Sequence, residues 1–509
     1  MRALMLYPEF PTTFWSFKHA LRLAGKKSAF PPLGLLTVAA LLPESWPTRL
    51  IDLNVEPLRA RDLDWADCVF ISGMIIQKAS AREVVTRCKA AGVRMVVGGP
   101  LFNGDDPTFA DVDHFVLGEA EITLPLFLAD LTHGTPRRVY TDARHPELRD
   151  SPVPRWELAK LQRYASMCLQ YSRGCPHNCD FCNVTALLGH RVRTKTTAQI
   201  MAELDALRAN GWRGDVFFVD DNFIGNRHRL KTDLLPALIA RRRAHKERTH
   251  FYTEASIELA DDPELMRLMV AAGFNKVFIG IETPDAACLA ECSKRQNENR
   301  DLVRDVWRIQ RAGLQVQAGF IVGFDSDQAS IFERQIDFIQ RSGIVTAMVG
   351  LLQAPPGTRL YQRMKAQGRL LGDSTGDNAD GTTNIVPLMG MERLQAGYRE
   401  ILGHIYHPKH YYERVMTFLR AYHLPEPGRD APPTLADLVA FWRSLIRLGV
   451  MGTERLHFWK LLLWTGCRRP ELLQVSMTLA ICGYHYRKVA AVIRRPSPIP
   501  ARMAAPDRL

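Results

Sequence analysis

Short apolar runs alternate with amphipathic stretches in two separate series along this chain. Such alternation folds as parallel sheet with helices packed on it, because parallel strands need a helical crossover between them. In the first series the expected strands are Arg2–Tyr7, Thr48–Leu53, Cys68–Gly73, Arg94–Gly98 and His114–Leu117, with helices over Gly34–Leu42, Ala79–Ala91 and Glu121–Leu131. This predicts a doubly wound domain over residues 1–140. The second series runs Met167–Ser172, Asp215–Asp220, His250–Ser256, Lys276–Glu282, Gln315–Phe324 and Thr346–Gln353. The first five of these are followed by helical stretches: Thr197–Asn210, Arg229–Lys246, Pro263–Ala272, Arg300–Ala312 and Gln328–Ser342. Six βα-type units predict a partial (β/α)6 barrel over 161–359. The proline-bearing stretch 141–160 reads as a linker. Residues 360–509 lose the alternation and predict a mainly helical domain, with helices over Met391–Ile405, Lys409–Tyr422, Ala436–Leu448 and Arg455–Trp464. The expected fold class is therefore α/β with a helical C-terminal domain, in agreement with about three domains for 509 residues.

Composition narrows the function classes. Apolar residues make up 46% and charged residues 24%, which excludes wholesale disorder. No apolar stretch reaches the roughly 18–20 residues of a spanning helix, and the N-terminus reads as a strand and not a signal peptide. A cytoplasmic protein is expected. The net charge of +12 suits an anionic ligand, nucleic acid or an anionic membrane face without choosing among them. Residues 434–490 mix Trp442, Phe458, Trp459 and Trp464 with Arg and Lys. This reads as a helical cap or as a lid that meets the inner face of a membrane.

Chemistry-bearing residues gather at the carboxyl ends of strands, where both folds place their ligands. In the first series these ends carry Ser72, Gly98, Gly99, Gly118 and Glu119. In the second they carry Asp220, Asp221, Asn222, Glu254, Ser256 and Glu282. Seven of the ten cysteines are scattered. Three, Cys175, Cys179 and Cys182, are spaced C-x3-C-x2-C directly after the first barrel strand. Three close thiolates fit an iron–sulfur cluster and leave one iron open for chemistry. A zinc site would need a fourth ligand, for which His177 is the candidate.

On these residues the chain resembles the radical S-adenosylmethionine (SAM) superfamily. The resemblance implies a [4Fe–4S] cluster on Cys175, Cys179 and Cys182, whose open iron chelates SAM. It implies that Phe181 lies near the adenine and that Asp220 or Asp221 takes the methionine amino group, in place of the family's Gly-Gly-Glu. Glu282 matches the ribose-binding carboxylate. Gly319-Phe320-Ile321-Val322-Gly323 matches the G-x-I-x-G strand behind the adenine, which brings in Ile321 and Gly323. A doubly wound domain before such a barrel resembles the cobalamin-binding class. The D-x-H-x-x-G ligand motif is missing, since Asp113-His114 does not supply its spacing. No protein histidine is therefore expected on cobalamin, and Ser72, Gly98, Gly99, Gly118 and Glu119 are the expected contacts. No G-x-G-x-x-G follows a strand to support nucleotide binding instead. Phe14-Trp15-Ser16-Phe17, Gly25-Lys26-Lys27, Pro31-Pro32-Leu33-Gly34 and Thr383-Asn384-Ile385-Val386-Pro387 resemble a subgroup that includes the hopanoid C-2 methylases.

The resemblance implies a cobalamin-dependent radical SAM C-methyltransferase acting on an unactivated carbon, with a hopanoid or other polycyclic lipid as one candidate. One SAM would methylate cobalamin and a second would yield a 5′-deoxyadenosyl radical. A flavodoxin or ferredoxin would supply the electron, and no nucleic-acid partner is expected. The alternatives are a cyclase, oxidase or rearrangement catalyst with the same cofactors, and a non-catalytic cobalamin or redox sensor. A methylthiotransferase would need a further N-terminal cysteine cluster, which Cys68 and Cys88 alone do not supply.

Overall fold

The computed structural model describes residues 1–246, 248–424 and 435–494. Of the expected C-terminal domain 360–509, residues 425–434 and 495–509 therefore fall outside the described residues. The first sheet is formed by β1 (Ala3–Tyr7), β2 (Thr48–Asp52), β3 (Cys68–Ser72), β4 (Arg94–Gly98), β5 (His114–Val116) and β6 (Val139–Tyr140). All six are parallel, in the order β2-β1-β3-β4-β5-β6. The two-residue period of a strand divides the core. Leu4 and Leu6 of β1 face one helical layer together with Val69, Ile71 and Val97. Ala3 and Met5 face the other, and that core runs on without a break into the rest of the molecule. The stretch 141–160 is bound tightly into this core: Leu148 and Trp156 are fully buried, and the Arg155 backbone N–H donates to Leu36 O at 3.1 Å.

The chain then runs through β7 (Met167–Leu169), a short antiparallel ribbon of β8 (Ser172–Arg173) and β9 (Arg193–Thr194), and on through β10 (Val216–Phe218), β11 (Phe251–Glu254), β12 (Phe274–Glu282), β13 (Gln315–Val322) and β14 (Ala347–Leu351). β7 and β10–β14 form an open parallel sheet in sequence order, the expected six-unit partial barrel. Local signals set its helices. In Pro263–Ala272, the Asp262 carboxylate accepts from Leu265 N, proline opens the first turn, and Gly273 ends the helix at φ 108°.

Three expected elements differ. The strand Met167–Ser172 stops at Leu169, because the Asp220 carboxylate captures the N–H groups of Tyr171 and Ser172 and draws the chain out of the sheet into the ribbon. The helix Arg229–Lys246 is interrupted by a π turn at Leu230–Leu234 ahead of Pro236, whose ring nitrogen has no hydrogen to give. Within the expected helical domain, a 21-residue helix, Leu473–Ile493, lies where the sequence reading places no helix. It packs across both sheets' territories. Tyr486 stacks on Phe14 at 4.3 Å between ring centroids, and His485 Nε2 donates to Phe14 O at 2.9 Å. No helix among the described residues is long and apolar enough to cross a membrane.

Candidate active site

The ribbon β8–β9 carries the cysteine loop. Gly174 joins them at φ 92°, where a Cβ would lie 2.5 Å from Arg191 O, so only glycine lets the two limbs of the loop close. Asp180 pins the loop from the far side. Its carboxylate accepts from Arg363 at 3.0 Å and Arg359 at 2.5 Å, and its backbone N–H donates to Cys292 O at 3.0 Å. Cys175, Cys179 and Cys182 are free and partly exposed. Burial pushes the Cys182 thiol up to about 12, with the neighbouring Cys179 and Cys175 adding to it. Burial, Cys179 and Asp221 likewise raise Cys175. The three sulfurs are thus near neighbours, and a bound cationic centre would be needed to hold them as thiolates together. No three His, Cys, Asp or Glu side chains among the described residues converge on a single ion position. A cubane takes one thiolate per iron, so three thiolates suit such a cluster and leave one iron open.

The carboxylates around this loop divide into two kinds. Asp220 is fully buried and accepts from Tyr171 N at 3.1 Å, from Ser172 N and from the Ser172 hydroxyl at 2.5 Å. It braces the ribbon, so its oxygens are engaged by the chain itself. Asn222 is likewise a strut, its Oδ1 accepting from Ser256 N at 3.1 Å, while the Ser256 hydroxyl donates to Glu258. Asp221 lies beside Cys175, and Glu254 lies beside Asp221. Burial raises Asp221 to about 6, and burial with Asp221 and Asp220 nearby raises Glu254 to about 8.

Glu282 ends β12 in a left-handed conformation, φ 64°, immediately after a register shift against β13. Such a backbone costs about 1–3 kcal/mol and marks functional sites. Asn297 and Gln335 hold it, donating to Ile281 O at 2.9 Å and to Glu282 O at 3.3 Å. Lys294 Nζ donates to Glu282 Oε1 at 2.6 Å and lies 6.0 Å from the Phe181 ring centroid. The sequence reading missed Lys294; a lysine in a polar loop 12 residues past a strand gives no signal. Ile321 and Phe181 lie in one apolar cluster with Phe324, and Gly323 N donates to Asp327 at 2.6 Å.

At the first sheet, Ser72 pairs with Gly98 across adjacent strand ends. A Cβ at Gly99 would lie 2.5 Å from Ser72 Oγ, so the backbone there is bare. Gly118 is exposed at the next strand end. Glu119 does not join them. Its carboxylate is taken by Arg173 at 2.6 Å, Arg193 at 2.8 Å and His145 at 2.8 Å. Glu121 completes this cluster with Arg173 at 2.8 Å. Glu119 thus forms an ionic clasp between the first sheet and the cysteine ribbon.

Family models match the chain as a "B12 binding domain" at 23–128, the "Radical SAM superfamily" at 169–339 and a "Domain of unknown function (DUF4070)" at 358–497. An uncharacterized methyltransferase of Synechocystis is 40% identical over 97% of this chain and 93% of its own length. The hopanoid C-2 methylase of Rhodopseudomonas palustris is 34% identical over 90% of this chain and 88% of its own. The chain belongs to the cobalamin-dependent radical SAM methyltransferases. As a member of this family it uses a [4Fe–4S] cluster, SAM and cobalamin, and it methylates a small molecule. The fold agrees. The cobalamin-dependent radical SAM enzyme OxsB, solved with aqua-cobalamin and SAM, superposes over 97% of this chain and 84% of its own with a TM-score of 0.62 at 14% identity.

Proposed function

We propose that the protein methylates an unactivated carbon of a polycyclic lipid of the hopanoid type. Residues 1–140 would hold cobalamin, 161–359 the cluster and SAM, and 360–509 would close over the substrate. The observation that carries the reading is the 34% identity to a hopanoid C-2 methylase along almost the whole chain, C-terminal region included. When bound, the cofactors supply a methyl group and the means of removing hydrogen from an inert carbon.

In this reading Cys175, Cys179 and Cys182 hold the cluster, and Asp221 takes the SAM amino group. Glu282 accepts from the ribose hydroxyls, its free oxygen directed by the Lys294 bond to the other. Phe181, Ile321 and Gly323 bound the adenine, and the bare backbone at Ser72, Gly98 and Gly99 with Gly118 receives cobalamin. An electron donor of the flavodoxin or ferredoxin class reduces the cluster.

The helices over 438–468 support collection of the lipid from the inner face of a membrane. Trp442, Ile446, Met451, Leu456 and Leu463 are exposed there, 50–78%. The exposed charges on this stretch, Arg443, Arg455, Lys460 and Arg468, are all basic, while Glu454 is buried against Arg487. Apolar side chains flanked by cations fit an anionic bilayer surface.

The test supplies the reduced, cofactor-loaded enzyme with SAM and a pentacyclic hopanoid. A methylated hopanoid, with S-adenosylhomocysteine and 5′-deoxyadenosine formed in equal amounts, is expected. Deoxyadenosine with an oxidised, cyclised or rearranged product and no methyl gain would overturn the reading.

A further inference from the structure

A complete (β/α) barrel fills its interior with layers of side chains. This open one does not. It encloses a cavity of about 690 Å³, within the range of roughly 300–1,000 Å³ typical of ligand sites. The cavity runs the length of the strands. At their amino-terminal ends it is lined by Asp215, His250 and Gln315, and at the carboxyl end of β11 by Glu254. Glu254 is the carboxylate that also senses Asp221 beside the cysteine loop, so the inner end of the cavity abuts the cofactor region.

The walls change character along this length. The middle is aromatic and apolar: Trp15, Phe17, Phe217, Tyr252, Phe278 and Met348. Trp15 is fixed by its indole N–H to Met348 Sδ at 3.0 Å and by an edge contact with Phe278 at 5.4 Å. The outer end is polar, where Gln315 meets Glu471, Gln474 and Thr478 of the C-terminal segment. Gln474 and Thr478 are exposed on the helix Leu473–Ile493, so this end opens to solvent beside that helix.

We propose that this cavity is the substrate chamber and that it fills from the amino-terminal side of the sheet, past the helix Leu473–Ile493. It takes an elongated amphiphile whose rigid apolar body lies along the aromatic middle and whose polar group lies at the mouth. The carbon presented to the cofactors then belongs to the end of the molecule farthest from its polar group. The assignment of a polycyclic substrate rests on the function proposed above; the route and orientation rest on the cavity alone.

The experiment uses the full chain loaded with cluster and cobalamin, and dehydroergosterol, a fluorescent polycycle with one polar end. Binding is read by energy transfer from tryptophan. Thr478→Phe and Gln474→Phe, both at exposed positions, should weaken binding at least tenfold while iron and cobalamin content stay at the parent level. Trp15→Phe should remove most of the transfer per bound probe. Gln474→Leu should weaken a polyol-tailed hopanoid more than its hydrocarbon analogue. Unchanged affinity in both Phe variants, or transfer indifferent to Trp15, overturns the chamber. If the Phe variants methylate a hopanoid as the parent does, the chamber falls and the proposed function stands. If the sterol and the hopanoid bind as expected but the hopanoid is never methylated, the chamber stands and the lipid assignment falls.

Discussion

Replacing Arg173 by methionine should loosen the whole junction between the two sheets. The guanidinium is 13% exposed and sits between Glu119 and Glu121, themselves 6% and 4% exposed. Without it, Glu119 keeps Arg193 and His145, but Glu121 loses its ionic partner. Breaking a buried pair by removing one member costs about 3–5 kcal/mol, because the remaining charge is left desolvated. For a domain of this size that is roughly 6–20 °C in the first thermal transition. The pH dependence carries a second signature. Burial alone would raise both carboxyls, but Arg173 at Glu121, and Arg193 with Arg173 at Glu119, outweigh it and hold them below their ordinary value. A depressed carboxyl stabilises the fold above its unfolded pKa, and that stability is lost as pH falls through the folded value. The gap between parent and Arg173→Met should therefore be full near neutrality and close as pH falls below about 4. Calorimetric scans across pH measure both effects. Adding Glu121→Gln should recover part of the loss, a coupling that a double-mutant cycle isolates. A shift under ~1 °C at neutral pH, or strictly additive single effects, would refute the clasp.

Three further outcomes follow from the site. Asp220→Asn turns an amide NH₂ toward one of the two backbone N–H donors; it should cost about 1–3 kcal/mol and lower iron retention after anaerobic reconstitution, measured by metal analysis. Glu282→Gln should weaken SAM binding roughly tenfold by calorimetry with the cluster intact, since it removes a charge-assisted bond worth about 1.5–3 kcal/mol; unchanged affinity would make Glu282 structural. Flotation with phosphatidylserine-containing vesicles should show binding that salt weakens, at about 1 kcal/mol per basic residue, and Trp442→Ser with Leu456→Ser should reduce it; a parent protein that stays unbound at low salt removes the membrane role.

Much of the architecture is legible in the chain because its local signals agree. Asp262, Pro263 and Gly273 bracket one helix to the residue, and doubly buried strands such as Ala3–Tyr7 can serve only in a covered parallel sheet. The helix Leu473–Ile493 lacks a polar N-cap, and its apolar residues contact several partners, so no single stripe betrays it. The uninterrupted stretch between Pro470 and Pro496 was the available signal. At the site, cysteine spacing located the loop. The division of labour between Asp220 and Asp221 depends on which carboxylate the ribbon consumes, and adjacency in sequence says nothing of that. Glu119 belongs to a clasp whose members lie 26 to 74 residues apart, a pairing that only the fold brings about.

The stacking of Tyr486 on Phe14 has a consequence for how the molecule is made. A ribosome that has released the first 470 residues has delivered both sheets, the cysteine loop and the strand ends at Ser72 and Gly99, but not the helix that walls the cavity. Domains fold as they emerge, at about 5–20 residues per second. The aromatic loop at Phe14–Phe17 therefore waits through nearly the whole of synthesis for its partner. The helix Leu473–Ile493, from which Gln474, Thr478 and Cys482 line the cavity, is thus the wall that a chain truncated before Leu473 would lack.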